Sequence, residues 1–453
     1  MGGTREAGRR PGRAALTAVL LARFVRARWG YRFSSRKRLE AWQRRRLRAY
    51  LRLARRAPFY AERRAKDFPV TDKTTMLHHF DGLNTRGVLF ADALSAGLEA
   101  ERSRDFAPTV AGDLTVGLSS GTSGRRGAFL VSPRERMLWA GTVLARVLDA
   151  EAVGRLLRPW AAPLTIAFFL RAGGNLYESV ASSRVRFRFF DLTENLDAQV
   201  EALARMAEAG ERVDVLVAPA SVLRALAERA RTAALPRPGL VVSVAEVLEP
   251  DTAALVTEVW GVLPRQVYQA TEGLLALPCD AGALHLNEET VWFDREWLDA
   301  ERTRFVPVVT DFERRTQIIA RYRLDDVLRI DPAAPERCAC GRVTTVLAGV
   351  DGRADSVLAL PSIDGRRTVE VFPDVLRRAM ALESARFADW RIRQRGLDVH
   401  VALADAAPDA AEHVDRALEA VFTAAGARSA VVHDDWLPTD PSVKLRRIVR
   451  EPA

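Results

Sequence analysis

Residues 213–244 read VDVLVAPASVLRALAERARTAALPRPGLVVSV, and this stretch decides the fold class. A largely apolar run, Val213 to Val217, is followed by the helix-patterned segment Ser221 to Ala234 and then by a second largely apolar run, Leu240 to Val244. Apolar β-branched runs without polar alternation are typical of strands that are buried on both faces. A strand, a helix and a strand in succession predict a βαβ unit in a parallel sheet.

The same alternation continues on both sides of this unit. Further strands are predicted at Leu164 to Leu170, Val185 to Phe190 and Gln266 to Tyr268, with helices near residues 133–148, 196–209 and 250–260. After Thr271 the strands come without long helices, which predicts an antiparallel β-rich addition, with strands at residues 291–293, 305–309, 317–322 and 327–330. Beyond Gly352 we expect a small α+β unit with strands at 390–394, 399–403 and 430–433 and a helix at 408–425.

The predicted fold class is therefore α/β, with a large multi-layer body built on a parallel sheet with a β-rich addition, and a small mobile α+β lid at the C terminus. We predict a basic helical segment over residues 1–70, the large domain over 71–352 and the lid over 353–453. No apolar run approaches the roughly 20 residues that cross a bilayer, which argues against an integral membrane protein. Three cysteines in 453 residues do not make a disulfide framework and favour a reducing, cytoplasmic compartment.

Positive charge is concentrated at the N terminus. Residues 1–66 contain 21 lysines and arginines against three glutamates, whereas the whole chain has a net charge of +10, so the remainder is mildly acidic. Apolar residues recur at helical spacing from Ala14 to about Ala57, which predicts two basic amphipathic helices. Their arginines fit a solvated helical layer, and peripheral membrane contact is an alternative. Nucleic-acid binding is disfavoured because no recognised DNA- or RNA-binding motif is present.

The segment Ser119-Ser120-Gly121-Thr122-Ser123-Gly124-Arg125-Arg126-Gly127 directly follows an apolar run. Glycines let several backbone N–H groups point inward, and hydroxyls and arginines add donors and positive charge, so the segment predicts a phosphate-binding loop. It lacks the Gly-Lys-Ser/Thr ending of a Walker A loop. A flexible surface loop is the alternative.

Three more polar segments follow strands or stand at the predicted domain boundary. Tyr268-Gln269-Ala270-Thr271-Glu272 offers a carboxylate and a hydroxyl for Mg²⁺ and phosphate, although Thr-Glu pairs are also common helix caps. Tyr322-Arg323-Leu324-Asp325-Asp326 offers carboxylates to ribose hydroxyls, and a solvated turn is its alternative. Gly352-Arg353-Ala354-Asp355 stands at the domain boundary.

Lysine is scarce in this arginine-rich chain. The four lysines are Lys37, Lys66, Lys73 and Lys444, and Lys444 lies in Ser442-Val443-Lys444-Leu445-Arg446-Arg447 near the C terminus. A lysine kept where arginine is otherwise used suggests chemistry that needs a compact ammonium group.

In this order, the motifs resemble those of the adenylate-forming superfamily, and in particular its phenylacetate-CoA ligase-like branch, over about Thr71 to Arg450. The resemblance implies that residues 119–124 hold the triphosphate of ATP. It places Tyr268 near adenine, Thr271 near phosphate, Glu272 on Mg²⁺, and Asp326 rather than Asp325 on the ribose. It also makes Arg353 a nucleotide contact, Asp355 the hinge of the lid, and Lys444 the lysine that bridges carboxylate and α-phosphate.

The sequence departs from this pattern at several positions. Arg125 and Arg126 end the loop where relatives usually carry a proline and then lysine or threonine, Gln269 replaces a glycine, and Leu324 replaces a threonine. The glycine that usually precedes the lid lysine is also absent. None of these departures removes a charged catalytic residue, but each could alter the substrate or the reaction rate.

The resemblance also gives the cysteines a role, because relatives of this branch often carry a Cys, His, Cys, Cys set in this region. Cys279, His285, Cys338 and Cys340 match it and imply a closed structural Zn²⁺ site. Unrelated buried thiols beside a core histidine are the alternative, because Cys338-Ala339-Cys340 is spaced more tightly than usual.

The activity implied by the resemblance is ATP-dependent conversion of a carboxylic acid to an acyl-AMP, followed by transfer to the thiol of CoA or of an acyl carrier protein. An amine acceptor, giving an amide ligase, is the alternative enzyme, and a non-catalytic binder of anionic surfaces is the alternative of another class. The acid is expected along Phe168 to Asn175 and Ser243 to Glu246, with Arg171 or Asn175 as candidate polar contacts. The residues do not identify the acid.

Overall fold

The protein is described by a computed structural model that covers residues 12–118, 127–170, 183–192, 196–353, 356–437 and 446–451. Within these ranges the helices are α1 (Arg13–Val25), α2 (Arg36–Ala54), α3 (Lys73–His78), α4 (Phe90–Ser103), α5 (Pro133–Val147), α6 (Ala150–Leu157), α7 (Leu196–Glu208), α8 (Ala220–Ala230), α9 (Pro250–Trp260), α10 (Pro373–Leu382) and α11 (Ala410–Ala425).

The strands up to residue 278 are β1 (Thr115–Leu118), β2 (Ala128–Val131), β3 (Leu164–Leu170), β4 (Val185–Asp191), β5 (Val215–Pro219), β6 (Leu240–Val244), β7 (Arg265–Gln266), β8 (Tyr268–Ala270) and β9 (Gly273–Pro278). The later strands are β10 (Leu284–Leu286), β11 (Val291–Trp297), β12 (Arg304–Asp311), β13 (Tyr322–Arg323), β14 (Asp326–Ile330), β15 (Val346–Arg353), β16 (Leu358–Pro361), β17 (Thr368–Val371), β18 (Asp389–Arg395), β19 (Asp398–Ala404), β20 (Val431–Asp434) and β21 (Ile448–Arg450).

A five-stranded parallel sheet is built around the stretch that indicated the fold class. Its order is β4-β3-β5-β6-β7, and every pairing in it is parallel. All five residues of β5 are buried, because helices cover both faces. Leu216 packs with α7, α8 and α9, whereas its neighbours Val215 and Val217 pack with α5 and α6 on the opposite face. The predicted βαβ unit and its buried strands are confirmed.

The β-rich addition is an eight-stranded antiparallel sheet. Its order is β11-β12-β14-β15-β10-β9-β8, and β13 pairs with β12. Strand β8 stands at one end of this order and follows β7 of the parallel sheet after one residue, so the chain passes from one sheet to the other at Val267. This junction places the end of the parallel sheet beside the edge of the antiparallel one.

The predicted strand at Gln317 to Tyr322 is wrong for residues 317–321. Only Tyr322 and Arg323 form a strand there, and Gln317 makes a single bridge to Asn84. The Ile318 N–H donates to the Leu83 carbonyl over 2.8 Å, and the Arg321 N–H donates to Thr310 Oγ1 over 2.9 Å. These two donors are bound by a carbonyl outside the sheet and by a side-chain hydroxyl of β12, so they do not form a regular strand pairing.

The N-terminal helices pack on the rest of the molecule. Helix α2 inserts Tyr50 and Ala54 into the core of the antiparallel sheet. Helix α1 lies on α5, where Gly141 allows close approach, since a Cβ on Gly141 would lie 2.6 Å from the Leu20 carbonyl oxygen. No helix among the described residues is long and apolar enough to span a membrane.

The C-terminal part has its own hydrophobic core, drawn from residues between Leu358 and Ile448. Its main sheet has the order β20-β19-β18-β21, with α11 and α10 packed against the same core. The predicted strands β18, β19 and β20 and helix α11 are present. Helix α10 and strands β16, β17 and β21 are additional.

Candidate functional site

A cavity of about 480 Å³ lies at the carboxyl ends of β5, β6 and β7, beside the start of the antiparallel sheet. Open α/β sheets bind ligands at this edge. The C-terminal residues Arg446 to Ile448 and Arg377 of α10 line its remaining side. Among the described residues, the cavity brings together Tyr268, Thr271, Glu272, Tyr322 and Asp326, together with Lys73, Arg224, Ala245 and Glu246.

Tyr268 and Asp326 come from strands separated by much of the antiparallel sheet, yet their side chains meet. The Tyr268 hydroxyl donates a hydrogen bond to Asp326 Oδ2 over 2.5 Å. An irregularity in the β8–β9 pairing, between Tyr268 and Gln269, precedes the turn that presents Thr271 and Glu272. Two separate sequence motifs therefore form one wall of the cavity.

Glu272 lies in a partly dehydrated, hydrogen-bonded setting. Burial raises the pKa of its carboxyl group, the neighbouring Asp326 charge acts in the same direction, and hydrogen bonds from Thr271 and Tyr322 oppose them. The Thr271 hydroxyl donates to Glu272 Oε2 over 3.0 Å. A raised pKa next to a second carboxylate is the electrostatic signature of a site that a divalent cation would stabilise, so the donor set fits Mg²⁺.

Lys73 lines the same cavity, and the motifs did not single it out. It is the first residue of α3, which begins with Asp72 accepting a hydrogen bond from the Thr75 N–H over 2.7 Å. The available signal was the scarcity of lysine, which drew attention only to Lys444. A lysine ammonium here adds positive charge to the cavity that the carboxylates of Glu272 and Asp326 also line.

The end of β6 forms the part of the cavity where the acid was expected. Ala245 has φ 65°, in the left-handed region that costs a residue with a Cβ about 1–2 kcal/mol. Glu246 accepts a hydrogen bond from the Ser221 N–H over 2.9 Å, which joins the ends of β5 and β6. Such strain is common where the backbone approaches a ligand.

Several predicted site residues lie outside the described residues. These are Ser119, Ser120, Gly121, Thr122, Ser123 and Gly124 of the loop, together with Arg171, Asn175, Asp355 and Lys444. The strands that flank the loop, β1 and β2, are antiparallel neighbours. Arg353 ends β15, where its backbone is paired with Asp326.

A second cluster consists of Cys279, His285, Cys338 and Cys340. Their ligand atoms all lie within 4.8 Å of one another. Cys279 Sγ is 3.9 Å from Cys338 Sγ, and Cys340 Sγ is 3.5 Å from His285 Nε2. A tetrahedral zinc with Zn–S bonds of about 2.3 Å and a Zn–N bond of about 2.0 Å requires separations of roughly 3.8 Å and 3.5 Å. The spacing of the donors therefore fits a Cys₃His zinc site.

The surroundings of the cluster favour a thiolate at Cys340 and orient the histidine. Hydrogen bonds from the Cys279 thiol and from His285 lower the pKa of Cys340, whereas the contact with Cys340 and burial raise the pKa of Cys279. The Thr344 hydroxyl lies 3.0 Å from His285 Nδ1, which leaves Nε2 facing the sulfurs. This is the outer hydrogen bond that usually fixes a zinc-binding imidazole.

N-terminal arginines hold the loops that carry the cysteines. Arg28 forms an ion pair with Asp280 over 3.1 Å, and Arg32 donates to the Cys340 carbonyl. Arg337 donates to the Ser34 carbonyl over 2.6 Å. The connection between α1 and α2 is therefore attached to both halves of the cluster.

The fold is that of a solved acyl-CoA ligase. 2-Hydroxyisobutyryl-CoA ligase in the postadenylation state, in complex with 2-HIB-AMP, matches 99% of this chain and 95% of its own with a TM-score of 0.63 and 17% identity. The same enzyme in complex with R3-HIB-AMP matches the same shares with a TM-score of 0.58 and 16% identity. No protein-family model and no curated protein matches the sequence. The fold that the sequence resemblance implies is therefore confirmed.

Proposed function

We propose that this protein activates a carboxylic acid as an acyl-AMP and then transfers the acyl group to a thiol of CoA or of a carrier protein. In the first step a carboxylate oxygen bonds to the α-phosphorus of ATP, and the bond to pyrophosphate breaks. The observation that carries the proposal is the convergence of Tyr268, Glu272 and Asp326 in one cavity at the ligand-binding edge of this fold. Solved structures of the same fold contain an acyl-AMP.

The described residues of the cavity are proposed to bind different parts of the nucleotide. Asp326, held by Tyr268, accepts hydrogen bonds from the ribose, and Tyr268 lies against adenine. Glu272 holds Mg²⁺, which when bound neutralises phosphate charge. Lys73 adds a fixed positive charge for the phosphates, because ATP and the acid are both anions.

Residues outside the described ranges complete the proposed site. Residues 119–124 hold the triphosphate, and Lys444 bridges the acid carboxylate and the α-phosphate. We propose that residues 353–453 form the lid and that it turns at Asp355, so that the acceptor reaches the acyl carbon. Support comes from Arg446 and Arg447, which line the cavity two and three residues after Lys444.

We further propose that Cys279, His285, Cys338 and Cys340 hold one structural Zn²⁺. Four protein ligands leave no open coordination position, so the ion would join loops and take no part in the chemistry.

Pyrophosphate exchange into ATP, measured with a panel of aryl and fatty acids, tests the first step. At least one acid should support exchange, and Glu272→Gln should lower the rate by about 10²-fold or more, because the carboxylate proposed to hold the Mg²⁺ that neutralises the phosphates is lost. Lys444→Ala should abolish exchange while keeping thioester formation from supplied acyl-AMP.

The matched control is Glu301→Gln, which removes an exposed carboxylate between β11 and β12. It should leave exchange unchanged. A protein that binds no ATP, or a Lys444→Ala variant with full exchange, would refute the assignment.

A further inference from the structure

Helix α1 and the turn that follows it expose an apolar stripe, defined here as Leu21, Val25 and Trp29. These side chains are 56%, 54% and 48% exposed, and they recur every four residues, so they share one face. The opposite face of α1 is used for packing, with Leu20 against Gly141 and the buried Arg23 paired with Glu313 over 3.0 Å. The stripe is therefore not the core-facing side of the helix.

Helix α2 exposes a cationic face, defined here as Lys37, Arg38, Arg45, Arg48 and Arg52. All five are exposed, and within the described chain none of them forms an ion pair. The other side of α2 buries Leu39, Tyr50 and Ala54. Residues 12–66 contain 18 lysines and arginines against two glutamates. Acidic residues elsewhere in the described chain pair with some of these arginines, such as Arg23 and Arg28, but with none of the five on the cationic face.

The two helices are joined firmly. The Arg26 guanidinium lies over the rings of Tyr31 and Trp42, at 5.2 Å and 5.4 Å from their centroids. Arg28 and Arg32 attach the same connection to the body of the protein. The stripe and the cationic face thus belong to one fixed segment.

We infer that this segment docks the protein on a membrane surface rich in anionic lipid. An exposed apolar stripe that includes a tryptophan, carried on the same fixed segment as an unpaired cationic surface, matches the two parts of a lipid interface, which are the acyl boundary and the anionic headgroups. A nucleic acid would use the cations but leave Leu21, Val25 and Trp29 in water. A second copy of this chain would bring two strongly positive surfaces together.

This inference does not depend on the proposed ligase activity, because none of the five cations or three apolar residues lines the cavity. Its test is flotation of the full-length protein with vesicles of phosphatidylglycerol and phosphatidylcholine, compared with phosphatidylcholine alone. Binding is expected only to the anionic vesicles, and it should weaken as salt is added.

Two sets of variants separate the contribution of the apolar stripe to vesicle binding from that of the cationic face. The triple change Leu21→Ser, Val25→Ser, Trp29→Ser should weaken partitioning at least about tenfold, because buried apolar area is lost. The triple change Arg38→Gln, Arg45→Gln, Arg52→Gln should weaken it roughly 100-fold, at about fivefold for each charge. Matched controls are Leu397→Ser, 65% exposed in the β18–β19 turn, and Arg205→Gln, Arg366→Gln, Arg367→Gln, all exposed elsewhere.

The inference is overturned if the protein ignores anionic vesicles, or if the control sets weaken binding as much as the test sets. It is also overturned if the apolar triple leaves vesicle binding intact, which would mean that charge alone acts. A dimer that the apolar triple converts to monomer would assign the stripe to a second copy of the chain. Melting temperatures of all variants should stay within about 2 °C of the parent, since every changed side chain is exposed.

Discussion

Asp311, at the end of β12, lies just behind the turn that carries Glu272. It is 6% exposed, and its carboxylate accepts a hydrogen bond from the Glu313 N–H over 2.8 Å. A Cβ on Gly273 would lie 2.9 Å from Asp311 Oδ2, so only glycine leaves room for this carboxylate. Burial raises the pKa of Asp311 to about 7, despite the Glu313 hydrogen bond and the nearby Arg314.

This pKa predicts how stability changes with pH. An aspartate with a folded-state pKa above its unfolded value of 3.8 binds its proton more tightly when the protein is folded. Its contribution to the free energy of unfolding is therefore full below pH 3.8 and is lost as pH rises toward 7. Asp311→Asn, which carries no charge, should therefore gain stability relative to the parent as pH rises from about 5 to about 8, by about 1–4 kcal/mol.

Thermal melting of both proteins across this pH range measures the effect. Asp294→Asn is the matched control, since Asp294 is exposed on β11. A difference between Asp311→Asn and the parent that stays constant with pH would contradict the assigned titration.

For individual residues, the sequence motifs predicted side chains that the fold does bring together. Tyr268, Glu272, Tyr322 and Asp326 do line one cavity. The sequence motifs do not identify Lys73 as a site residue. Helix α3 reaches the cavity because the chain just before it packs on the antiparallel sheet, where Thr71 forms a bridge to Tyr322. Contacts set by tertiary packing leave no periodic signal in the sequence.

At the scale of elements, buried strands with a uniform apolar pattern were predicted well. Strand β3 spans Leu164–Leu170, as expected, because all-apolar runs have few other places to lie. The strand prediction for residues 317–321 was wrong because hydrogen bonds outside the sheet fix this segment, although its apolar pattern is that of a strand. Their apolar residues are buried, but Glu135, at the start of α5, accepts hydrogen bonds from the N–H groups of Arg315 and Thr316 and holds the preceding turn out of the sheet.

The loops that carry the three cysteines connect strands of the antiparallel sheet, and a metal ion between these loops and His285 of β10 would affect stability. If Cys279, His285, Cys338 and Cys340 hold zinc, purified protein should contain about one zinc per chain, and His285→Ala should lose it. The melting temperature should fall by about 5 °C or more, because the metal joins loops that also hold the α1–α2 connection through Arg28 and Arg32.

His433→Ala is the control for this change, because His433 pairs with Asp415 on the surface of the C-terminal part, 2.8 Å apart. It should keep the zinc and most of the stability. Protein prepared with zinc present that contains none by elemental analysis would refute the metal site and leave the four side chains as a packed cluster.

At the scale of the whole molecule, an ion pair joins the C-terminal part to the parallel-sheet body. Arg377 on α10 lies 2.8 Å from Glu249, the residue before α9, and it also donates to the Asp351 carbonyl over 2.6 Å. Burial raises the pKa of Glu249, although Arg377 opposes this. In this arrangement Arg446 and Arg447, which follow Lys444 by two and three residues in the sequence, line the cavity.

The pair should therefore favour the orientation of the proposed lid in which adenylation occurs. Arg377→Met leaves Glu249 buried without its ion-pair partner and with only the weaker attraction of Arg447. A buried charge that loses its partner costs about 3 kcal/mol unless the two parts separate. Separation relieves that cost, so we expect pyrophosphate exchange to fall by about 10- to 100-fold while thioester formation from supplied acyl-AMP changes by less than about threefold.

A double-mutant cycle decides whether orientation is the cause. Arg377→Met combined with Glu249→Met removes both charges, so exchange should recover part of what the single change lost. Arg386→Met is the control, because the partners of Arg386 among the described residues are Glu383 and Asp409, both inside the C-terminal part. Equal loss of both half-reactions in Arg377→Met would instead make Arg377 a direct contact of the nucleotide, since a residue that sets only the orientation cannot slow the step made in the other orientation.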